Sequence, residues 1–389
     1  MNICPQKAHG EGPDEAAATL AFDTNAMLGR LRRWVECESP TYDAAAVESM
    51  LDLVARDLAM LGARCERIPG DGHFAGCLKA TWAHPRAGEP GILVVGHLDT
   101  VHPRGTLERM PWRIEQGRAY GPGILDMKSG NLLAVEAAAA VASAVLETPL
   151  PVTMLFTSDE EVGSPSCRAV VEAEASRAKY VLVPEPARRD GGVVTGRYAV
   201  ARFRMVTRGI PSHAGLRPEE GVSAIREMAH QLLAVEALTD DDASFTVGVI
   251  HGGKWVNCVA TECAAEILVS SRSDVGLDSA IARLRDLRPV DDRVAIAIEP
   301  TISRPAWTDA GPSHLYDVAR AIAGRLGFDL ARQSSSGGSD GNFTGAMGVP
   351  TLDGLGARGD GPHTLGEYIE IDSLEERARL FAGLLLSLR

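Results

Sequence analysis

Apolar residues fall into three patterns along this chain, and each predicts a different kind of element. From about Asn25 to Leu61 they recur every three or four positions, as at Val47, Met50, Leu51, Val54, Leu58 and Leu61, and the run stops at Gly62. That is helical spacing with one face turned to a core. The segments GILVVGHLDT (91–100), PVTMLFTSDEE (151–161) and AKYVLVPEP (178–186) carry short unbroken apolar runs, the pattern of strands covered on both faces. Between the first two lies NLLAVEAAAAVASAVLE (131–147), an Ala-rich helix introduced by Ser129, Gly130 and Asn131. Strands alternating with helices predict an α/β sheet with helices on both faces.

From about Gly191 the pattern changes. YAVARFRMVTRG (198–209) and TECAAEILVSSRSD (261–274) alternate apolar and polar residues, which predicts antiparallel strands with one face in water. EEGVSAIREMAHQLLAVEAL (219–238) and GLDSAIARLRDLR (276–288) read as amphipathic helices. Two strand pairs and two helices predict a small α+β domain inserted in the larger one. The helical stretch HLYDVARAIAGRLG (314–327) and the glycine-rich loops SSSGGSDGNFTG (334–345) and LDGLGARGDGPH (352–363) return to the larger domain. The boundaries expected are 1–192 and 307–389 for the larger domain and 193–306 for the insert. Two domains suit 389 residues, since single cores rarely grow past about 250–300.

The formal net charge of −13 argues against a nucleic-acid or anionic-membrane partner, because both want a basic face. The opening MNICPQKAHGEGPDEAAA has no apolar run suited to a signal peptide. Nor is there an uninterrupted apolar stretch of the roughly 18 residues that span a bilayer. Seven scattered cysteines without a CxxC pair point to reduced buried thiols rather than a disulfide framework or a thiolate zinc site. A cytoplasmic location is the expectation.

The acidic and imidazole side chains cluster at strand ends. His97 and Asp99 follow ILVV, Asp159, Glu160 and Glu161 follow VTMLFTS, and Glu185 follows YVLV. Ligand sites of open α/β sheets lie outside the carboxyl ends of the strands, so three segments deliver donors to one crevice. Asp126, in the turn before the Ala-rich helix, and His363, in GDGPHT, can reach the same place. Each alone has an ordinary explanation, Asp126 as a helix cap and the DEE run as a solvated face. Together, two imidazoles and several carboxylates without a thiolate suit Zn²⁺ in an open catalytic geometry. A carboxylate bridging two ions about 3.5–4 Å apart would form a pair that activates water and polarises a carbonyl.

GHLDTVHP (96–103), YGPGILDMKSG (120–130), TSDEEVGS (157–164) and PEPA (184–187) closely resemble motifs of the di-zinc aminoacylase/carboxypeptidase family. Its members include acetylornithine deacetylase, succinyl-diaminopimelate desuccinylase and bacterial glutamate carboxypeptidase, and the segments RPAW and GGSDGN look nearest to the last. The resemblance implies a zinc-exopeptidase-like mixed sheet flanked by helices, with an inserted ferredoxin-like α+β lid and dimerisation domain. It implies two Zn²⁺ per chain, with Co²⁺ or Mn²⁺ as alternatives. Asp126 would bridge them, His97 and Glu185 completing one site and Glu161 and His363 the other. Glu160 matches the general base, Asp99 the carboxylate that orients His97, and the Asp126–Met127 bond an unusual cis peptide. In the insert, His213 of PSHAG matches a lid histidine that stabilises the oxyanion, often from the neighbouring subunit of a homodimer. Asn257 of GGKWVNCVA and Arg304 of SRPAW match substrate contacts, the arginine gripping a carboxylate. The function implied is hydrolysis of an amide bond next to a free carboxylate in a small peptide or N-acyl amino acid, with glutamate as the leading released residue. An N-acyl amino acid deacylase and a catalytically dead metal-binding scaffold are the alternatives.

Overall fold

The computed structural model describes residues 17–389 except 310 and 312, so nearly all of the opening segment read above for a signal peptide lies outside the described residues. Two compact units emerge. One takes in the chain up to Thr195, the stretch after Asp309 to Gln333, and Met347–Arg389; the other takes Gly196–Asp309 and Ser334–Ala346.

The first unit is built on a six-stranded mixed sheet. Its strands β1 (Arg64–Ile68), β2 (Cys77–Thr81), β3 (Gly91–His97), β4 (Val152–Thr157) and β5 (Ala178–Leu182) lie in the order β1-β2-β4-β3-β5, and the short strand Thr351–Leu352 completes it. β3 runs parallel to β4 and β5, while β1 and β2 are antiparallel additions. The unbroken apolar runs are explained by burial on both faces. Ile92 and Val94 pack into the core beneath helices α1 (Thr24–Glu36), α2 (Ala44–Met60) and α3 (Ser129–Ser143), whereas Leu93 and Val95 pack with Val171 and Ala175 of helix α4 (Arg168–Ala175).

The helical pattern read from Asn25 to Leu61 is two helices, and α3 stops at Ser143, short of the apolar run it was read from. Asp23 and Asp43 cap α1 and α2 by accepting from backbone N–H groups. The chain between them turns at Pro40, and Thr41 donates its hydroxyl to the Asp99 carboxylate. Cys77 and Cys167 are buried as a hydrogen-bonded thiol pair 3.1 Å apart. Burial and the bond to Cys77 push the Cys167 thiol far above its ordinary range, the bond to Cys77 being the larger cause.

The second unit reads β6 (Ala199–Arg208), α5 (Ala224–Glu236), β7 (Ala243–Gly252), β8 (Glu262–Ser271), α6 (Asp274–Arg285) and β9 (Ala295–Arg304). Its all-antiparallel sheet has the order β7-β8-β6-β9, the ferredoxin-like β-α-β-β-α-β arrangement. Phe203, Met205, Ile267 and Val269 meet Met228 and Val235 of α5 and Leu277 and Leu284 of α6 in one core. One expectation differs. The sequence pattern places the loop SSSGGSDGNFTG in the larger domain, but Ser334–Ala346 clusters with this unit. The cause is polar: Arg197 donates to the carbonyls of Gly337 and Gly338, and Asn342 donates to those of Tyr198 and Pro305.

Candidate metal centre

Four segments of the first unit bring their side chains to one point. β3 ends on His97, β4 leads into the turn holding Glu160 and Glu161, Glu185 follows β5, and Asp126 stands in the loop before α3. His363 comes from the hairpin that joins the short strands Gly359–Asp360 and Tyr368–Glu370. Asp126 occupies the middle. Its Oδ1 lies 3.1 Å from His97 Nε2 and its Oδ2 lies 3.2 Å from His363 Nε2. On the His97 side, Glu185 Oε1 is 3.8 Å and Glu160 Oε2 is 4.0 Å from the imidazole Nε2. On the other side Glu161 Oε2 is 3.2 Å from His363 Nε2. Donor atoms of His97, Glu160 and Glu185, and again of His97, Asp126 and Glu161, lie within 4.8 Å of one another.

The surroundings fix these groups. His97 Nδ1 bonds the backbone carbonyl of Asp99 at 2.9 Å, with the Asp99 carboxylate farther away at 3.4 Å. That carboxylate accepts instead from the backbone N–H groups of Glu160 and Glu161 and from Thr41, so Asp99 holds the Glu160–Glu161 turn as well as the imidazole. Asn131 donates to the His97 carbonyl at 2.6 Å. The Asp126–Met127 peptide is cis, as the resemblance implies. His363 adopts a left-handed φ of 63°, which costs a non-glycine residue about 1–2 kcal/mol and persists where the surroundings impose it.

Charge is unbalanced at this point. Burial opposes ionisation of Asp126, but hydrogen bonds from His363 and His97 outweigh it and hold its carboxyl well below the usual range. Burial likewise opposes a charged His97, yet bonds to Asp126 and Asp99 push its pKa well up. His363 is raised to about 11 by its bonds to Asp126 and Glu161, and Glu161 is raised to about 7 by burial and the Asp126 charge. The carboxylates outnumber the imidazoles and draw protons to offset their repulsion. A cation-binding donor set has this character, and all-N/O donors of this kind fit Zn²⁺.

Close packing positions Glu185. A Cβ on Gly130, at the start of α3, would collide with the carbonyl oxygen of Pro184. Gly130→Ala should therefore displace the Pro184–Glu185 backbone, costing about 1–3 kcal/mol of stability and lowering metal content. Thermal denaturation and metal analysis of the purified variant check this, and wild-type values in both would refute it.

Sequence reasoning missed two residues here. Glu367 is fully buried, and its carboxylate accepts from His102 and from three backbone N–H groups of the Asp126 loop. His102 was visible in GHLDTVHP and Glu367 lies four positions after His363, but their pairing spans most of the chain. The other expected site residues lie in the second unit. His213 and Asn257 are neighbours on adjoining segments, the Ala214 N–H donating to the Asn257 carbonyl. Arg304 is buried, 3.2 Å from Asp340 and stacked on Phe343.

Comparison with known proteins agrees with this arrangement. The chain is 28% identical over 375 residues to carboxypeptidase G2 of Pseudomonas sp. (strain RS-16), covering 93% of this chain and 89% of that protein. It is 27% identical to succinyl-diaminopimelate desuccinylase of Dechloromonas aromatica, covering 93% and 98%. In fold it is similar to human carnosine dipeptidase 1, with a TM-score of 0.78 at 16% identity and 96% and 99% of the two chains covered. A metallo-carboxypeptidase from Sulfolobus solfataricus superposes with a TM-score of 0.72 at 14% identity, covering 94% and 99%. Residues 93–387 match the description of peptidase family M20/M25/M40, and with the donor cluster at the strand ends, the chain belongs to that family of metal-dependent hydrolases.

Proposed function

We propose that this protein is a di-zinc hydrolase that releases a C-terminal amino acid, glutamate foremost, from a small peptide or N-acyl conjugate. The observation that carries the reading is Asp126, whose two oxygens face separate histidines. In this reading Asp126 would be shared by two ions, with His97 and Glu185 holding one and Glu161 and His363 holding the other. When bound, the ions polarise the scissile carbonyl and activate water. Glu160, in the buried turn secured by Asp99, takes a proton from the attacking water and passes it to the leaving nitrogen. His213 donates to the developing oxyanion and Asn257 contacts the substrate. Arg304 is the least direct member, because gripping a substrate carboxylate requires it to exchange Asp340 for that carboxylate.

We further propose a homodimer formed through the second unit, with His213 of one protomer serving its partner. Support comes from the edge strand β7 and the following loop, where Ile250, Trp255 and Val256 are exposed; apolar residues grouped on a sheet edge favour association. Among the described residues no helix is long and apolar enough to cross a membrane, and a cytoplasmic location is part of the proposal. The test is a hydrolysis screen with added Zn²⁺ over N-acyl glutamates, dipeptides, and N-acetyl and N-succinyl amino acids. Preference for the last group would favour the deacylase alternative suggested by the desuccinylase relative, and no hydrolysis of any would favour an inactive scaffold.

His213→Ala should lose turnover by about 10²–10³-fold with unchanged metal content. Mixing it with Glu160→Gln reconstitutes one intact site per heterodimer, so part of the activity should return. No recovery after demonstrated subunit exchange would overturn the cross-dimer assignment.

A further inference from the structure

We infer that Glu367 is a positioning residue that sets the metal affinity of the centre by locking the Asp126 loop to the hairpin that carries His363. The inference rests on the proposed metal centre and deepens it. Glu367 Oε1 accepts from the N–H groups of Leu125 at 2.7 Å and Asp126 at 3.0 Å. Its Oε2 accepts from the N–H of Gly123 at 3.0 Å and meets His102 Nε2 at 2.7 Å. Four donors thus converge on one fully buried carboxylate, and charge-assisted bonds to backbone amides are among the stronger kind.

The topology makes the lock specific. Glu367 and His363 leave the same hairpin, whose strand Tyr368–Glu370 pairs antiparallel with Arg118–Tyr120. That second strand runs directly into the loop bearing Asp126. One anchor therefore governs the separation between Asp126 and His363, whose facing atoms lie 3.2 Å apart. Neither oxygen can be replaced by an amide without conflict, because both accept from backbone N–H. In Glu367→Gln the –NH₂ must face either the Leu125 and Asp126 amides or the Gly123 amide, which leaves at least one buried donor without its acceptor.

The test is Zn²⁺ affinity, measured by competition with a chromophoric chelator after metal removal, together with circular dichroism of the metal-free protein. Supporting groups around metal ligands typically contribute 10–100-fold in affinity. Glu367→Gln is therefore expected to retain the wild-type spectrum and to bind Zn²⁺ about 10–100-fold more weakly. His102→Ala, which removes one donor and leaves the three backbone bonds, is expected to show a smaller loss. A folded Glu367→Gln with wild-type affinity overturns the inference. If that variant does not fold, His102→Ala decides: weakened binding supports the lock, and wild-type binding overturns it. Wild-type protein that binds no Zn²⁺ would overturn the metal centre itself, an outcome visible before any variant is made.

Discussion

Glu160→Gln is expected to hold as much metal as the wild-type protein while turnover falls by about 10²–10⁴-fold. The substitution keeps size and shape but removes the basic oxygen. The Glu160 side chain is nearly buried, and its backbone N–H is tied to Asp99, so the turn itself should not move. Its carboxylate lies 4.0 Å from His97 Nε2, little farther than that of Glu185 at 3.8 Å. Geometry thus leaves Glu160 within reach of a cation on the His97 side, and the variant separates base from ligand. Metal analysis showing one ion fewer than wild type, with Glu161→Gln retaining its metal, would exchange the two roles.

Removing metal with a chelator is expected to abolish activity completely and to leave the far-UV circular dichroism nearly unchanged. The donors stand at the ends of strands whose interior is apolar and packed on both faces, so the sheet does not need a cation to form. Protons should take the place of metal. His363 is raised to about 11 when it faces Asp126 and Glu161 without a cation, and metal binding requires a neutral imidazole. Loading therefore expels protons, and apparent Zn²⁺ affinity should rise with pH across the neutral range. In the metal-free protein the sign of the stability effect is opposite. A raised histidine pKa stabilises fully below about 6.5, the free imidazole value, and that contribution fades as pH rises toward 11. Calorimetry in buffers of different ionisation enthalpy measures the proton release, and none detected would contradict the charge balance described here. Global unfolding on chelation would contradict a centre that serves catalysis rather than folding.

Much of this centre was legible because the chemistry sits beside strong patterns. ILVV before His97, LFTS before Asp159 to Glu161, and YVLV before Glu185 each mark a buried strand, and the residue after such a strand has few places to point. The alternating segments 198–209 and 261–274 likewise exposed the second sheet. What escaped was fixed by contacts distant in sequence. Nothing local distinguishes Glu367 from a surface glutamate; its partners lie at His102 and in the loop from Gly123 to Asp126. The glycine-rich loop at 334–346 gave no sign of its allegiance, because Asn342 and Asp340 bind to elements more than thirty positions earlier. The edge strand β1, with the mixed sequence RCERI, has too little apolar character to announce itself.

The hairpin bearing His363 has a consequence for how the molecule comes into being. Every other donor lies between His97 and Glu185, in the first half of the chain, but domains generally fold as units, and the core under this sheet also contains Leu315, Ala319, Leu374 and Phe381 from the C-terminal stretch. The centre therefore does not assemble piecemeal: the donors of the first half wait for the C-terminal stretch that supplies both the second imidazole and part of the core beneath the sheet. A chain shortened before that hairpin would lose core residues together with His363, so the donor cluster and the fold of this unit are completed in the same event.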